Sequence, residues 1–333
     1  VSKIRVAVAP QTPPATAEQR RRPEQVLGLE NSGSPAGATR WKRLRVCPRE
    51  HALHQIVKLR PTGESEPLTV GWLVHLGLER FYATLQSTQA HKPDDVRAGL
   101  WAGCEQAEAA AWSVLEPIRD ESGYAETYSK VESMLAGYFD QYRRQDMWRI
   151  LAVEETLIYR GAFAYSARLD LVVEDIERGG MWIVEHKTAK AVTEDLLHGY
   201  QMDLQVLGQV WLMQKCVDLE QYPPLQGVHV NILTKHAVPR FERASVTPSK
   251  YHLQAFETSM RHWQTVSKTF EATGWPHTFG ACTGPSRWGK RCGYFDLCHG
   301  RPEFTVDDWL QQQDPPYGFT HASSVSDAAE EDS

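Results

Sequence analysis

Near residue 147 the chain changes its hydrophobic period, and this restricts the fold more than any other feature. Upstream, apolar residues recur at helical spacing over 49–59, about 68–85, about 93–115 and 125–144. Downstream come short, β-branched apolar runs at 148–160, 164–174 and 181–187, with Arg178-Gly179-Gly180 as the turn before the last. A helix over about 195–215, strands near 227–234 and 239–246, and a helix over about 248–269 complete the pattern. The expectation is an α/β fold: a small mixed sheet flanked by helices, carried by a core at about 148–270 and preceded by a helical insertion at about 68–147.

The 333 residues, 41% of them hydrophobic, can fill one large domain or two modest ones. Residues 1–40 are rich in Pro, Ala, Gly, Ser and Arg without periodicity and read as a disordered arm. The ordered domain is expected over 41–304, and 305–333, with Asp327, Glu330, Glu331 and Asp332, reads as an acidic, mostly disordered tail. A net charge of -6 means that contact with a polyanion has to come from a local basic strip, for which Arg20 to Arg22 and Arg40, Lys42, Arg43 and Arg45 are the candidates. No run approaches the roughly 20 apolar residues of a membrane span, and no secretion signal opens the chain. The expected setting is therefore intracellular, cytoplasmic or nucleoid-associated, with no membrane partner.

Chemistry concentrates on two neighbouring strands. Arg168-Leu169-Asp170 lies on one, and Glu185-His186-Lys187 ends the next. Side chains alternate along a strand, so Glu185 and Lys187 share a face and His186 points away. Two carboxylates and a lysine suit phosphodiester hydrolysis, the carboxylates holding Mg²⁺ or Mn²⁺ and the lysine orienting water or stabilising charge. A plain strand-end salt bridge between Glu185 and Lys187 accounts for the triplet taken alone. His75 shares a helix face with Trp72, Leu76 and Glu79, and is either a metal ligand or a core histidine. Gln201, Gln205 and Gln209 recur at i, i+4 and i+8 as an amide stripe, suited to phosphate contact or to a solvated flank.

The six cysteines divide into two kinds. Cys104 and Cys216 lie in helical patterns and read as buried small apolar residues. Cys282, Cys292 and Cys298 lie in a glycine-rich C-terminal stretch and, if Cys47 joins them, match the four thiolates of a [4Fe-4S] cluster or a structural Zn²⁺, with disulfides as the alternative that the lack of a secretion signal argues against.

Taken in order, Cys47-Pro48-Arg49, Gly71 to His75, Arg168-Leu169-Asp170, Glu185-His186-Lys187, Gln205 and the three late cysteines resemble the iron-sulfur RecB-like nucleases of the PD-(D/E)XK superfamily. That group includes nuclease domains of helicase-nuclease complexes, CRISPR-adaptation nucleases and phage-encoded relatives. The resemblance implies a restriction-endonuclease-like core with an Fe-S staple. It implies His75, Asp170, Glu185 and the His186 carbonyl as metal ligands, Lys187 and Gln205 as catalytic, and Cys47, Cys282, Cys292 and Cys298 around a [4Fe-4S] cluster, with zinc as the alternative. It also implies an acidic residue before the Asp strand, for which Glu154 and Glu155 are equal candidates. The activity implied is exonucleolytic or end-processing cleavage of single-stranded DNA or duplex ends in repair or recombination, with a helicase or recombination partner. A non-catalytic DNA-end-binding or assembly subunit and a zinc-stapled RNA-binding protein are the competing readings. Gln209 departs from the family's tyrosine, Ser166 and Ala167 from a glycine, and the spacing of Cys282 to Cys292 is long.

Overall fold

The computed structural model describes residues 36–62, 66–89, 96–143, 145–282 and 291–321. Helix α1 (Ala38–Val46) leads through Cys47 into α2 (Pro48–Gln55), where Pro48 at the first position has no backbone N–H to leave unpaired. After β1 (Leu59–Pro61) come the long helices α3 (Glu66–Gln89), α4 (Val96–Arg119) and α5 (Ala125–Tyr142). Strands β2 (Trp148–Arg160), β3 (Ala164–Asp175) and β4 (Met181–Ala189) form an antiparallel meander.

The expected helix over about 195–215 is two helices, α6 (Glu194–Gly199) and α7 (Leu204–Cys216), separated by a short 3-10 turn. The division has a local cause. The Asp203 carboxylate accepts the N–H groups of Gln205 at 2.7 Å and Val206 at 3.3 Å, so it starts a new helix. This crossover lets β5 (Leu225–Thr234) run parallel to β4, and β6 (Phe241–Val246) returns antiparallel. Helix α8 (Lys250–Thr273) ends at Gly274, whose φ of 99° is costly for any other residue.

The five-stranded mixed sheet has the order β2-β3-β4-β5-β6, and helices cover both faces. Leu73, Val74, Leu115, Leu135 and Phe139 from α3 to α5 pack on one face with Leu171, Val173 and Val184. Trp41, Leu207, Trp211, Phe256 and Met260 pack on the other with Leu169, Ile183, Val228 and Val230. A polar seam crosses the first interface. The Tyr82 and Tyr138 hydroxyls lie 2.7 Å apart, Asn231 donates to Tyr138 at 3.0 Å, and Arg243 donates to Asn231 and, through both terminal nitrogens, to Asp146.

Two expectations about the ends change. The fold already includes Ala38, inside the expected arm, because Ala38, Trp41 and Leu44 dock on the α7 side of the sheet. The stretch from 305 is not tail throughout. Helix α9 (Phe295–Gly300) is followed by α10 (Val306–Leu310), which Thr305 caps, and β7 (Phe319–His321) pairs with β1. Trp309 and Phe319 anchor this segment in a third apolar cluster with Leu53 and Leu59, burial that the acidic composition further on concealed. The acidic residues themselves and Arg20 to Arg22 lie outside the described residues. Among the described residues no helix is long and apolar enough to cross a membrane.

Candidate active site

Strands β3 and β4 stay paired from Glu174 opposite Met181 to Leu171 opposite Val184, and no further. Beyond that point β4 remains paired with β5 as far as Ala189 opposite Thr234, so β3 diverges and the sheet forks. The Asp170 carboxylate occupies the fork, accepting the backbone N–H of His186 at 2.7 Å in place of a ladder bond. His75, on one face of α3, approaches from the insertion side, with Nδ1 3.4 Å from Asp170 Oδ2. Burial alone would push the Asp170 carboxyl up, but the His75 charge and hydrogen bond outweigh it and hold it below the usual carboxylate range. His75 is raised in turn, Asp170 overcoming the effect of burial.

Glu154, between Val153 opposite Leu171 and Glu155 opposite Leu169, faces Asp170 across the β2–β3 ladder. Its φ of 53° lies in the left-handed region, a strained conformation for a non-glycine residue, and a bulge at Ile150/Ala152 precedes it. That backbone brings the carboxylate toward the fork, while Glu155 is exposed. Of the two equal candidates, Glu154 is therefore the one at the site. One ligating atom from each of His75, Glu154 and Asp170 lies within 4.8 Å of the others. An imidazole with two carboxylates fits Mn²⁺ or Mg²⁺ as a donor set. Burial first, and then the Asp170 charge, push the Glu154 carboxyl up to about 8, which is the crowding a cation would relieve.

On the opposite side of the fork Glu185, Lys187, Gln205 and Gln209 form a closed network. Lys187 Nζ donates to Glu185 Oε1 and, at 2.9 Å, to Gln205 Oε1. Gln205 Nε2 donates to Glu185 Oε1 at 2.7 Å, and Gln209 Nε2 donates to Oε2. The strand alternation expected for Glu185 and Lys187 is present, and the i, i+4 spacing on α7 delivers both amides to one carboxylate. Gln201, the third member of the stripe, is exposed. Burial and the Asp170 charge raise the Glu185 carboxyl, against the pull of Lys187. Burial would lower Lys187, but Glu185 and Asp170 hold it above the usual lysine value, so it is an ammonium at neutral pH.

His186 points to the other face, as expected from alternation. Its ring stacks on Tyr82 at 5.8 Å and meets Tyr138 edge-on, and neither ring nitrogen has a partner among the described residues. Burial pulls it down to about 3, so the ring is neutral.

The family profile described as the PD-(D/E)XK nuclease superfamily matches residues 36–299, which is most of the chain. The chain belongs to the PD-(D/E)XK nuclease superfamily. Enzymes of this superfamily use divalent metals, in keeping with the His75, Glu154 and Asp170 group. No curated protein matches. Among solved structures, a "Putative exonuclease" of Eubacterium rectale is similar at 11% identity and a TM-score of 0.39, covering 80% of this chain and 87% of that one. The protein SSO0001 is similar at 12% identity and a TM-score of 0.27, covering 60% and 84%. Overlaps this weak carry no argument about function.

In this nuclease, of the four candidate cluster cysteines, Cys292 belongs to the third apolar cluster and Cys298 packs against it. Cys47 occupies the N-cap of α2 without spending its side chain on the helix. The Cys292 N–H donates to the Cys282 carbonyl at 2.8 Å. Burial pushes the Cys298 thiol up to about 11, with the neighbouring Cys292 and Cys47 adding to the effect. Among the described residues, no three of these thiols are brought within 4.8 Å of one another. Cys104 is buried as expected. Cys216 is not: at the exposed end of α7 its S–H reaches the Ile158 carbonyl at 3.7 Å.

Sequence reasoning missed the role of Gln209. Its position reads as a departure from the family pattern, yet the residue is fully buried and holds the second oxygen of Glu185. The signal was its i+4 spacing from Gln205.

Proposed function

We propose that this chain is a metal-dependent deoxyribonuclease of the RecB-like kind, acting as an exonuclease or end-processing enzyme on single-stranded DNA or duplex ends. One observation carries the reading: at the fork in the sheet, the His75 imidazole and the Glu154 carboxylate converge on Asp170 from one side, and a carboxylate-bound lysine lies on the other. His75, Asp170, Glu185 and the His186 carbonyl would hold the Mn²⁺ or Mg²⁺, with Glu154 as a further donor. When bound, the ion would supply a polarised phosphoryl oxygen and a more acidic water.

The chain's own residues supply the rest. Lys187, fixed as an ammonium by Glu185 and Gln205, orients the attacking water and stabilises charge on the phosphate. Gln205 and Gln209 hold the Glu185 carboxylate in one rotamer, so no reorganisation is needed when substrate arrives. The exonucleolytic preference rests on resemblance to histidine-containing members of the group. Cys47, Cys282, Cys292 and Cys298 carry a [4Fe-4S] cluster in this reading, with Zn²⁺ as the alternative, a choice that rests on the resemblance. DNA is the substrate, and a helicase or recombination protein is the expected partner.

The test incubates anaerobically purified protein with end-labelled single- and double-stranded DNA and closed circles, with Mg²⁺, Mn²⁺ or EDTA, beside Lys187→Ala. Metal-dependent degradation of linear DNA, absent in the variant, supports the reading. Equal inertness of wild type and variant overturns it, and cleavage of closed circles overturns the exonuclease preference. Brown colour with bound iron and sulfide tests the cluster separately.

A further inference from the structure

We propose that Arg168 is a phosphate-binding residue of this site, held on Glu154 in the metal-free protein and released to the DNA backbone when a divalent ion takes that carboxylate. The inference rests on the nuclease reading and extends it to substrate binding.

Arg168 lies on β3 two residues before Asp170, and its Nε is 2.7 Å from Glu154 Oε2. The contact is an ion pair without the directionality of a good hydrogen bond, since that oxygen accepts none of good geometry among the described residues. Glu154 is the partner that competition would remove. Its carboxylate is one of the three groups that converge within 4.8 Å, and Asp170 and Glu79 add negative charge around it. A divalent ion carries twice the charge of a guanidinium and would be chelated by His75 and Asp170 as well. It therefore wins the carboxylate.

Exposure separates the two partners. The Arg168 side chain is 38% exposed and that of Glu154 only 14%, so the guanidinium faces outward from the carboxylate toward solvent. Lys187, another cation near the fork, is already bound by Glu185 and Gln205. A freed Arg168 presents a planar fork matched to two phosphate oxygens, and it stands beside the residues that would hold the ion. Metal loading and DNA binding thus become coupled through one exchange of partners: DNA finds its arginine only after the ion is in place.

The experiment compares wild type with Arg168→Gln and Arg168→Lys by two readouts besides activity. The first is Mn²⁺ affinity without DNA, by paramagnetic resonance of the free ion. The second is binding of a fluorescent single-stranded oligonucleotide with Ca²⁺, which supports binding without turnover. Circular dichroism checks folding, and Arg168→Lys keeps the charge should Arg168→Gln fold poorly. In Arg168→Gln, Mn²⁺ binds several-fold more tightly because a competitor is gone, while DNA binding weakens by about tenfold or more, the loss of a charged hydrogen-bonding pair. Arg168→Lys recovers part of the DNA affinity. Unchanged DNA affinity in Arg168→Gln, or a weaker hold on Mn²⁺, overturns the assignment. A wild type that binds neither Mn²⁺ nor DNA overturns the nuclease reading itself, which keeps the two failures distinct.

Discussion

Replacing Gln209 by leucine separates what this residue does for the fold from what it does for Glu185. The side chain is fully buried, with Nε2 bonded to Glu185 Oε2 and Oε1 without a partner among the described residues. Leucine removes a hydrogen bond to a charged acceptor, a loss of about 1.5–3 kcal/mol, and at the same time removes an orphaned acceptor that costs about 1–3 kcal/mol. The two effects oppose each other at similar size, so urea unfolding should show stability unchanged to within about 2 kcal/mol. Catalysis has no such compensation. Glu185 keeps Gln205 and Lys187 on Oε1 but loses the Gln209 amide on Oε2, and with it a fixed carboxylate plane. A loss of about 1.5–3 kcal/mol in transition-state stabilisation corresponds to a fall of about 10- to 150-fold in kcat/KM for Mn²⁺-dependent release of nucleotides. Unchanged activity would refute the idea that the amide positions Glu185. A loss of more than about 4 kcal/mol in stability would refute it too, by making Gln209 a packing residue first.

Three other substitutions probe the surrounding frame. A Cβ at Gly208 would meet the Tyr165 hydroxyl oxygen at 2.0 Å, so Gly208→Ala should displace α7, break the Tyr165–Leu204 hydrogen bond and lower stability by about 1–3 kcal/mol in urea. Arg243→Ala leaves Asp146 without its bidentate partner at the partly buried seam, and chemical denaturation should register a loss of about 3 kcal/mol. Burial, helped by Arg40, lowers His51 from 6.5 to about 4. Its contribution is complete above pH 6.5 and is lost as pH falls toward 4, where only the unfolded chain takes the proton, so denaturation at stepped pH should lose up to about 3 kcal/mol across that window, with a shallower slope in His51→Phe.

The strands and the shared face of Glu185 and Lys187 were legible because both follow from a local period of two. The fork was not, since it arises where β4 keeps one neighbour and β3 leaves the other, a relation between segments rather than within one. The choice of Glu154 over Glu155 was hidden for a similar reason: it depends on a bulge and a left-handed φ that no residue type announces. The break at Asp203 was readable, an Asp immediately before an apolar run, but helical spacing on both sides masked it. Composition misplaced the C-terminal limit of the packed fold, because a few anchors such as Trp309 and Phe319 outweigh a polar average.

The pairing of β1 with β7 also bears on how the molecule comes into being. The Tyr294 hydroxyl donates to the Leu59 carbonyl across 235 residues of sequence, and β7 follows later still. At about 5–20 residues per second, a ribosome takes roughly 10 to 50 seconds to make that interval. Throughout it α2 and β1 have emerged while their apolar partners have not, so both sheet faces can be packed before the third cluster exists. Helix α2 and strand β1, made early, are thus among the last parts of the nuclease to mature.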